Sequence, residues 1–302
     1  MAMNTPEWVV LCRTEFRKYV SDTLKEKKPT SVISYLMDTG TWDKEQMTDG
    51  SYTGLGDFQE FTGVANTDTY TEEYSKTIDF PEFTKTVDIR KKLWDDARKK
   101  VFNVADDMAV SAWRTREKAV INVFNNAFDA TVTWGDSKAL CATDHPTKVP
   151  GGSTFSNAMN VAFSPAQCET MRQNMAQIKD GNNNYVEADM DLIFAPLILE
   201  EEVWEYINSK GKVNTADNNR NYAEGRYKML ISKYLTGLTK ATAPWFGIDS
   251  RRAKMSNTSL TREAFSMEEE YTPKLRMLSF TGAERRGIMV SGWRWLCGSK
   301  PA

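Results

Sequence analysis

The chain has 302 residues, which is long enough to bury one large hydrophobic core or two modest ones, so length alone selects no architecture. Hydrophobic residues make up 40% of the chain and charged residues 26%, and a formal net charge of -2 excludes the strongly basic surface of a dedicated nucleic-acid-binding protein. The longest apolar run, Leu192 to Leu199, is far shorter than the roughly 20 residues that span a bilayer, so we expect no membrane anchor.

The N-terminus and the cysteines indicate the compartment. The first residues, Met1 to Glu7, have neither the basic start nor the apolar stretch of a secretory signal. The cysteines lack the paired spacing of a disulfide framework or a metal site. They are Cys12, Cys141, Cys168 and Cys297. We therefore expect a cytoplasmic chain with four free thiols.

Two patterns dominate the first ninety or so residues. Apolar residues at helical spacing between Glu7 and Leu24 predict an amphipathic helix, whereas the glycine-rich stretch from Thr39 to Gly63 predicts an extended or loop segment. The runs 70–80 and 83–89 alternate apolar and polar residues and predict two strands of one long β-hairpin. Each strand mixes charged and apolar residues, so we expect another molecule to cover this hairpin.

The segment from Lys91 to Asp129 contains neither glycine nor proline, and its apolar residues recur at spacings of three and four. It predicts one long helix of roughly 58 Å at 1.5 Å per residue. An extended subunit needs a rod of this kind more than a small enzyme does.

The second half predicts an irregular loop and then a mixed α/β module. Turn residues are frequent from Trp134 to Asn157, and Ser164-Pro165 has the residues of a helix start. The later expectations are a helix to Ile178, a strand at 191–195, a helix from Pro196 to about Asn208, a polar loop at 214–225 and a strand at 226–234. Two final strands, 274–280 and 287–297, separated by residues 281–284, predict a terminal antiparallel pair.

The sequence gives only weak support for a catalytic, nucleotide-binding or metal-binding site. Gly54-Leu55-Gly56 lacks the third glycine of a dinucleotide-binding motif. Cys141 and His145 are the only thiol and imidazole close in sequence, which leaves a Cys-His thiol hydrolase, or a zinc site with other cysteines, as alternatives. The structural interpretation, a turn at Asp144-His145-Pro146, is favoured. We therefore assign no catalytic, cofactor-binding or metal-binding residue and expect no enzyme.

Runs of charge and of aromatic residues are also interpreted structurally. Glu200 to Glu202 lie in the first turn of a predicted helix and complement its dipole, and Glu268 to Glu270 suit a solvated face. Lysines such as Lys91 alternate with aspartates on one helix, which predicts surface ion pairs. Trp293-Arg294-Trp295 is expected to pack in a core or an interface.

Short motifs follow one another in a fixed order. The central one is Ala139 to Pro146, followed by Gly151-Gly152 and Ser156-Asn157, after a helix that ends in Asn125 to Phe128. The others are Tyr74 to Thr77, Leu192 to Pro196, Ala243 to Phe246, Trp293 to Trp295 and Gly298-Ser299. In this order they resemble the tailed-bacteriophage major capsid proteins, particularly the Mu-like major head subunit group. Cys141-Ala142 departs from the Phe-Ser of that group, and residues 1–50 match none of its patterns.

The resemblance implies an α+β subunit with the Hong Kong 97 type phage capsid fold. It implies an N-terminal arm (1–53), an extended loop formed by the β-hairpin (54–90), a peripheral domain with the spine helix (91–162), an axial domain (163–253) and a return to the peripheral domain (254–302). The loop at 214–225 would lie near the capsomer axis.

The implied function is that of a major capsid protein. Such a protein assembles with itself into hexamers and pentamers of an icosahedral shell around phage double-stranded DNA, which it holds without sequence specificity. Portal, scaffold or cement proteins are the implied partners, and the implied location is the virion, assembled in the host cytoplasm. An encapsulin-like shell with another cargo stays open as an alternative.

Overall fold

The computed structural model describes residues 6–27, 32–63, 65–67, 72–146, 154–182, 184–212 and 219–301. The helices in these ranges are α1 (Glu7–Lys27), α2 (Ile33–Leu36), α3 (Lys91–Asp96), α4 (Arg98–Asn125), α5 (Pro165–Ala176), α6 (Glu200–Asn208) and α7 (Ser250–Ser256). The strands are β1 (Asp38–Thr41), β2 (Gln46–Tyr52), β3 (Glu72–Asp79), β4 (Glu82–Arg90), β5 (Ala158–Met159), β6 (Leu192–Pro196), β7 (Lys228–Ser232), β8 (Trp245–Ile248), β9 (Asn257–Thr272), β10 (Met277–Val290) and β11 (Leu296–Ser299). Two short predicted features, Gly151-Gly152 and positions 214–218 of the polar loop, lie outside the described residues.

The strands form three sheets. One has the order β1-β9-β10-β4, the second has the order β5-β11-β8-β6-β7, and the third is the antiparallel pair β2-β3. With the helices packed on these sheets, the chain is a mixed α+β protein, as predicted. No helix in the described ranges is both long and apolar enough to cross a membrane.

The predicted hairpin of 70–80 and 83–89 is wrong in its pairing, although β3 and β4 are both strands. β3 pairs with β2, which lies in the segment that we predicted to be extended or loop, and β4 pairs with β10. Only Phe80 and Pro81 join β3 to β4, and neither has the positive φ that a two-residue hairpin turn requires. Phe80 is buried instead, so the chain passes from one sheet to the next.

The long hairpin of this chain is β9-β10. A 3-10 turn at Pro273–Leu275 and Arg276, in the left-handed region at φ 48, join its strands. The predicted break at 281–284 is wrong because β10 runs through it, with Gly282 where a Cβ would lie 2.7 Å from Met108 and 2.8 Å from Phe265. That glycine permits close packing and does not make a turn. The expected terminal antiparallel pair is accordingly replaced by β9-β10 and by β11 pairing with β8.

The predicted single helix at 91–129 is interrupted and shorter. Ala97 separates α3 from α4 with φ −147 and ψ 52, and α4 ends at Asn125. The break lets Trp94 bury its ring, with the Arg98 guanidinium 4.4 Å from the ring centroid and the Phe102 ring edge-on at 6.3 Å. The 28 residues of α4 are roughly 42 Å long at 1.5 Å per residue.

Helix α4 joins two hydrophobic cores. The first core contains α1, as its amphipathic pattern predicted, together with α3, Leu278 and Phe280 of β10, and the first half of α4. The second core contains the five-stranded sheet and its helices, with Val120, Ile121 and Phe124 from the last turns of α4. This second core includes the predicted α/β module, in which Ser164 caps α5 by accepting from the Gln167 backbone N–H at 3.3 Å.

Candidate functional site

A buried polar network surrounds the one histidine of the chain. His145 is fully buried, its Nδ1 lies 2.6 Å from Asp136 Oδ2, and its Nε2 lies 3.0 Å from Asn157 Oδ1. The loop between α4 and β5 supplies all three residues, and an isolated bridge between His145 and Phe155 closes it. The described parts of the loop predicted at 134–157, which are residues 134–146 and 154–157, are therefore irregular in backbone and held together by side-chain hydrogen bonds.

The amide of Asn157 fixes the protons on this histidine. Asn157 Nδ2 donates to the backbone carbonyls of Leu140 at 2.8 Å and Leu296 at 3.2 Å, and Oδ1 accepts from the Ala142 N–H at 2.9 Å. Because Oδ1 can only accept, His145 Nε2 must donate to it, and Nδ1 donates to the Asp136 carboxylate. The ring thus presents an N–H to each of its two buried acceptors while the Asp136 carboxylate is ionised.

The pKa of Asp136 agrees with this pairing. Burial raises the pKa of a carboxyl group, but here the hydrogen bond and charge of His145, with the Lys138 backbone N–H at 3.1 Å, outweigh burial and lower it below its ordinary value. The charge pair therefore stabilises the fold while Asp136 is ionised.

The same geometry argues against the alternative of a Cys-His nucleophile. Both ring nitrogens of His145 already have partners, so neither is available to take a proton from Cys141. Burial, and then the neighbouring Cys297, raise the pKa of the Cys141 thiol well above its ordinary value. The sequence analysis noted Asn157 only as part of the Ser156-Asn157 motif and did not single out Asp136. Neither was linked to His145, because positions nine and twelve residues away carry no signal of pairing.

The other residues that the sequence singled out also have structural roles. All four cysteines are free and buried, and no group of three or more potential metal ligands occurs within the described residues. Glu201 and Glu202 in the first turn of α6 pair with Lys240 at 3.2 and 3.3 Å. Lys91 pairs with Asp95 at 2.6 Å, which is the kind of surface ion pair that the charge pattern predicted. The prediction of a solvated face is wrong for Glu269, which binds Arg13 at 2.8 Å and also binds Arg17.

The histidine network connects the irregular loop to the β2-β3 pair and to the end of the chain. Trp293 stacks on His145, and Arg294 beside it binds the buried Glu73 of β3, with Nη2 to Oε1 at 2.9 Å. Trp295 is buried in the second core, so the expected packing role of the Trp-Arg-Trp motif is confirmed. The ion pair between Glu73 and Arg294 therefore links β3 to the segment before the last strand.

An exposed apolar segment follows β2. Leu55, Phe58 and Phe61 are all exposed, and Asp57 and Glu60 lie between them. The start of the segment is held by Asn184 Nδ2, which donates to the Leu55 carbonyl at 3.2 Å. Aromatic side chains exposed next to carboxylates are typical of a surface that another protein covers.

Solved shell proteins share this arrangement over nearly the whole chain. The mature capsid of bacteriophage PhiM1 gives a TM-score of 0.58 at 7% identity, covering 90% of this chain and 87% of that one. The procapsid of bacteriophage JBD30 gives 0.56 at 14% identity, covering 99% and 77%. A virus-like particle from Pyrococcus furiosus gives 0.54 at 10% identity, covering 95% and 98%. No protein-family model and no curated protein matches the chain.

The chain has the Hong Kong 97 type capsid fold. The expected fold class is therefore confirmed. The first half of α4 and the hairpin β9-β10 belong to the first core, and the last turns of α4 and the five-stranded sheet belong to the second. The pair β2-β3 is linked to the segment before the last strand by Glu73 and Arg294.

Proposed function

We propose that this chain is the major capsid protein of a tailed bacteriophage, a structural subunit that assembles with itself into hexamers and pentamers of an icosahedral shell. The observation that carries the proposal is the match of at least nine tenths of the chain to phage capsid subunits. The order of the sequence motifs supports the same conclusion independently. The exposed Leu55 to Phe61 segment supplies a surface that self-assembly would bury.

The finer assignments are part of the proposal. The motif around Ala139 to Pro146 supports the Mu-like major head subunit group. We retain a peripheral domain with the spine helix and an axial domain at 163–253. We assign the extended loop to the β2-β3 pair because those strands pair with each other, which shortens the proposed arm from 1–53 to 1–45. No enzymatic step is needed for this function.

The proposed partners are further copies of the chain and packaged double-stranded DNA, held without sequence specificity because the net charge is near zero. A JBD30 capsid that resembles this chain is decorated with minor capsid protein trimers, which supports a cement protein as a partner. Portal and scaffold proteins complete the proposal. The proposed location is the virion, after assembly in the host cytoplasm.

Electron microscopy of the purified, concentrated protein, with its mass from light scattering, tests the proposal. Closed shells, rings or tubes of megadalton mass are the expected result. A 34.3 kDa monomer at every concentration and salt condition would contradict it.

A rival function is an encapsulin-like shell around an enzyme, which the resemblance to the Pyrococcus furiosus particle favours. Particles purified from producing cells and treated with nuclease separate the two. Protected double-stranded DNA supports the phage capsid, whereas particles that hold a protein cargo and no nucleic acid support the rival.

A further inference from the structure

A cavity of about 580 Å³ lies beside the histidine network, between the β2-β3 pair, the loop after α5, helix α7 and the segment before the last strand. Its volume is within the range of roughly 300–1,000 Å³ that ligand-binding cavities occupy. The indole of Trp134 forms part of its wall, and the exposed side chains of Tyr185 and Met255 also line it. The proposed function gives this cavity no role.

Carboxylates outnumber guanidinium groups around this cavity. The carboxylates are Asp49, Glu73, Asp136, Asp180 and Glu187, and the guanidinium groups are those of Arg252 and Arg294. Arg294 is matched by Glu73, as described above. Arg252 lies 3.8 Å from Asp249, a carboxylate outside the cavity wall, so its charge is matched as well. The cavity therefore has an excess of negative charge.

Three of these carboxylates form no ion pair within the described residues. Asp49 accepts from the Ser291 hydroxyl at 2.5 Å, while Lys76 opposite it in β3 donates to a loop carbonyl instead. Asp180 accepts from two backbone N–H groups of its own loop at 2.8 and 2.9 Å. Glu187 has neither an ionic nor a hydrogen-bond partner in the same ranges, and its backbone is in the left-handed region at φ 52. A residue other than glycine stays in this conformation only where its surroundings hold it there.

Two buried donors belong to the same wall and lack an acceptor. Trp134 Nε1 and Arg294 Nε each have no hydrogen-bond partner in the part of the chain that the structure describes. An indole N–H and a guanidinium N–H can only donate. Because a buried donor without an acceptor is unfavourable, an oxygen acceptor that entered the cavity would be stabilised by these two groups.

The carboxylates and the donors together select the class of ligand. A free anion would accept from the donors but would be repelled by the carboxylates, and a simple organic cation would leave the donors without acceptors. Among the described residues, no group of three or more His, Cys, Asp or Glu side chains could hold a metal ion. A basic peptide meets both requirements, because its carbonyl oxygens accept and its Lys or Arg side chains pair with carboxylates and pack on aromatic rings such as Tyr185.

We propose that this cavity binds an extended basic segment of a partner protein, with backbone carbonyls of the segment on Trp134 and Arg294 and a Lys or Arg side chain on Glu187. The inference goes beyond the proposed function, because all the groups that recognise the segment belong to one chain. Binding therefore requires no assembled shell, and it can be measured on the single subunit.

Fluorescence anisotropy of the full chain with a labelled peptide, Gly-Ala-Lys-Ala-Arg-Ala-Gly with an amidated end, tests the charge half of the site. We expect saturable binding, and a peptide with Gln in place of Lys and Arg should bind at least about tenfold more weakly. Glu187→Gln should raise the Kd of the basic peptide at least about threefold. Glu268→Gln is the matched control, because it removes one exposed carboxylate far from the cavity wall. Equal effects of the two substitutions would overturn the proposal.

The donor half of the site is tested by Trp134→Phe, which removes the indole N–H and keeps an aromatic ring. It should also raise the Kd of the basic peptide at least about threefold, and thermal melting of the free variant separates this effect from a folding defect. Spermidine or Mg²⁺ that displaces the labelled peptide as well as the unlabelled peptide does would overturn peptide recognition. The absence of saturable binding would overturn the site itself. Particles that still form in either case leave the capsid function intact.

Discussion

The imidazole of His145 lies nearly parallel to the indole of Trp293, with ring centroids 4.1 Å apart. The histidine belongs to the irregular loop and the tryptophan to the segment before the last strand. Stacked rings of this kind bury apolar area and favour one orientation of the imidazole. This contact joins parts of the chain that are about half its length apart.

Replacing His145 should be strongly destabilising. His145→Ala removes the ring N–H that faces Asp136 and leaves a buried carboxylate unpaired, which costs about 3–5 kcal/mol of the free energy of unfolding. Urea denaturation measures the loss. The double variant with Asp136→Ala should lose less than the sum of the two single variants. Additive losses would show that the two residues do not interact.

Acid should weaken the same pair. The folded-state pKa of Asp136 lies below its ordinary value of 3.8, so between the two values the unfolded chain binds a proton that the folded chain does not. The stabilisation is therefore complete above the unfolded pKa and is lost as the pH falls through the folded one. We expect Asp136→Asn to flatten the dependence of the free energy of unfolding on pH below about 4. An unchanged acid limb would contradict this assignment.

The ion pair between Glu73 and Arg294 should contribute strongly to the packing of β2-β3 on the rest of the chain. Glu73 is almost completely buried, so Arg294→Met would leave its charge without a cation and cost about 3–5 kcal/mol. Replacing both residues with Met should cost much less, because neither charge then remains buried. Asp95→Asn, which breaks the more exposed pair with Lys91, is the control and should change the urea midpoint little.

Glycine at position 298 should be required by packing. A Cβ there would lie 2.6 Å from Cys141 Sγ and 2.9 Å from both Phe128 and Phe246. Gly298→Ala should therefore lower the free energy of unfolding by about 1–3 kcal/mol. At Gly292 the nearest atom would be 3.7 Å away, so Gly292→Ala should be close to neutral in the same thermal melts. Equal effects at the two sites would contradict the packing argument.

The features predicted correctly depend on neighbours in sequence. Helix α1 follows from its apolar spacing, α5 from Ser164 and Pro165, and β6 from a short apolar run. The strand β9 was missed because Glu268 to Glu270 make it polar, and its pairing with β10 involves another part of the chain. Gly282 was interpreted as a turn because only the packed structure shows Phe265 and Met108 against it.

The candidate site was predictable only in part. His145 was noted beside Cys141, but its actual partners are set by a loop that folds back on itself. The exposed segment at Leu55 to Phe61 was recognised only as irregular chain. Its significance comes from the exposure of its side chains, which a sequence alone does not report.

Helix α4 inserts its first half in one hydrophobic core and its last turns in the other. Neither core can be complete until this one helix is formed along its length. The two halves of the subunit should therefore lose their structure in a single cooperative transition, although each has an apolar interior of its own. Under the proposed capsid function, a load on the shell would then act first on the contacts between copies, because each subunit unfolds only as a whole.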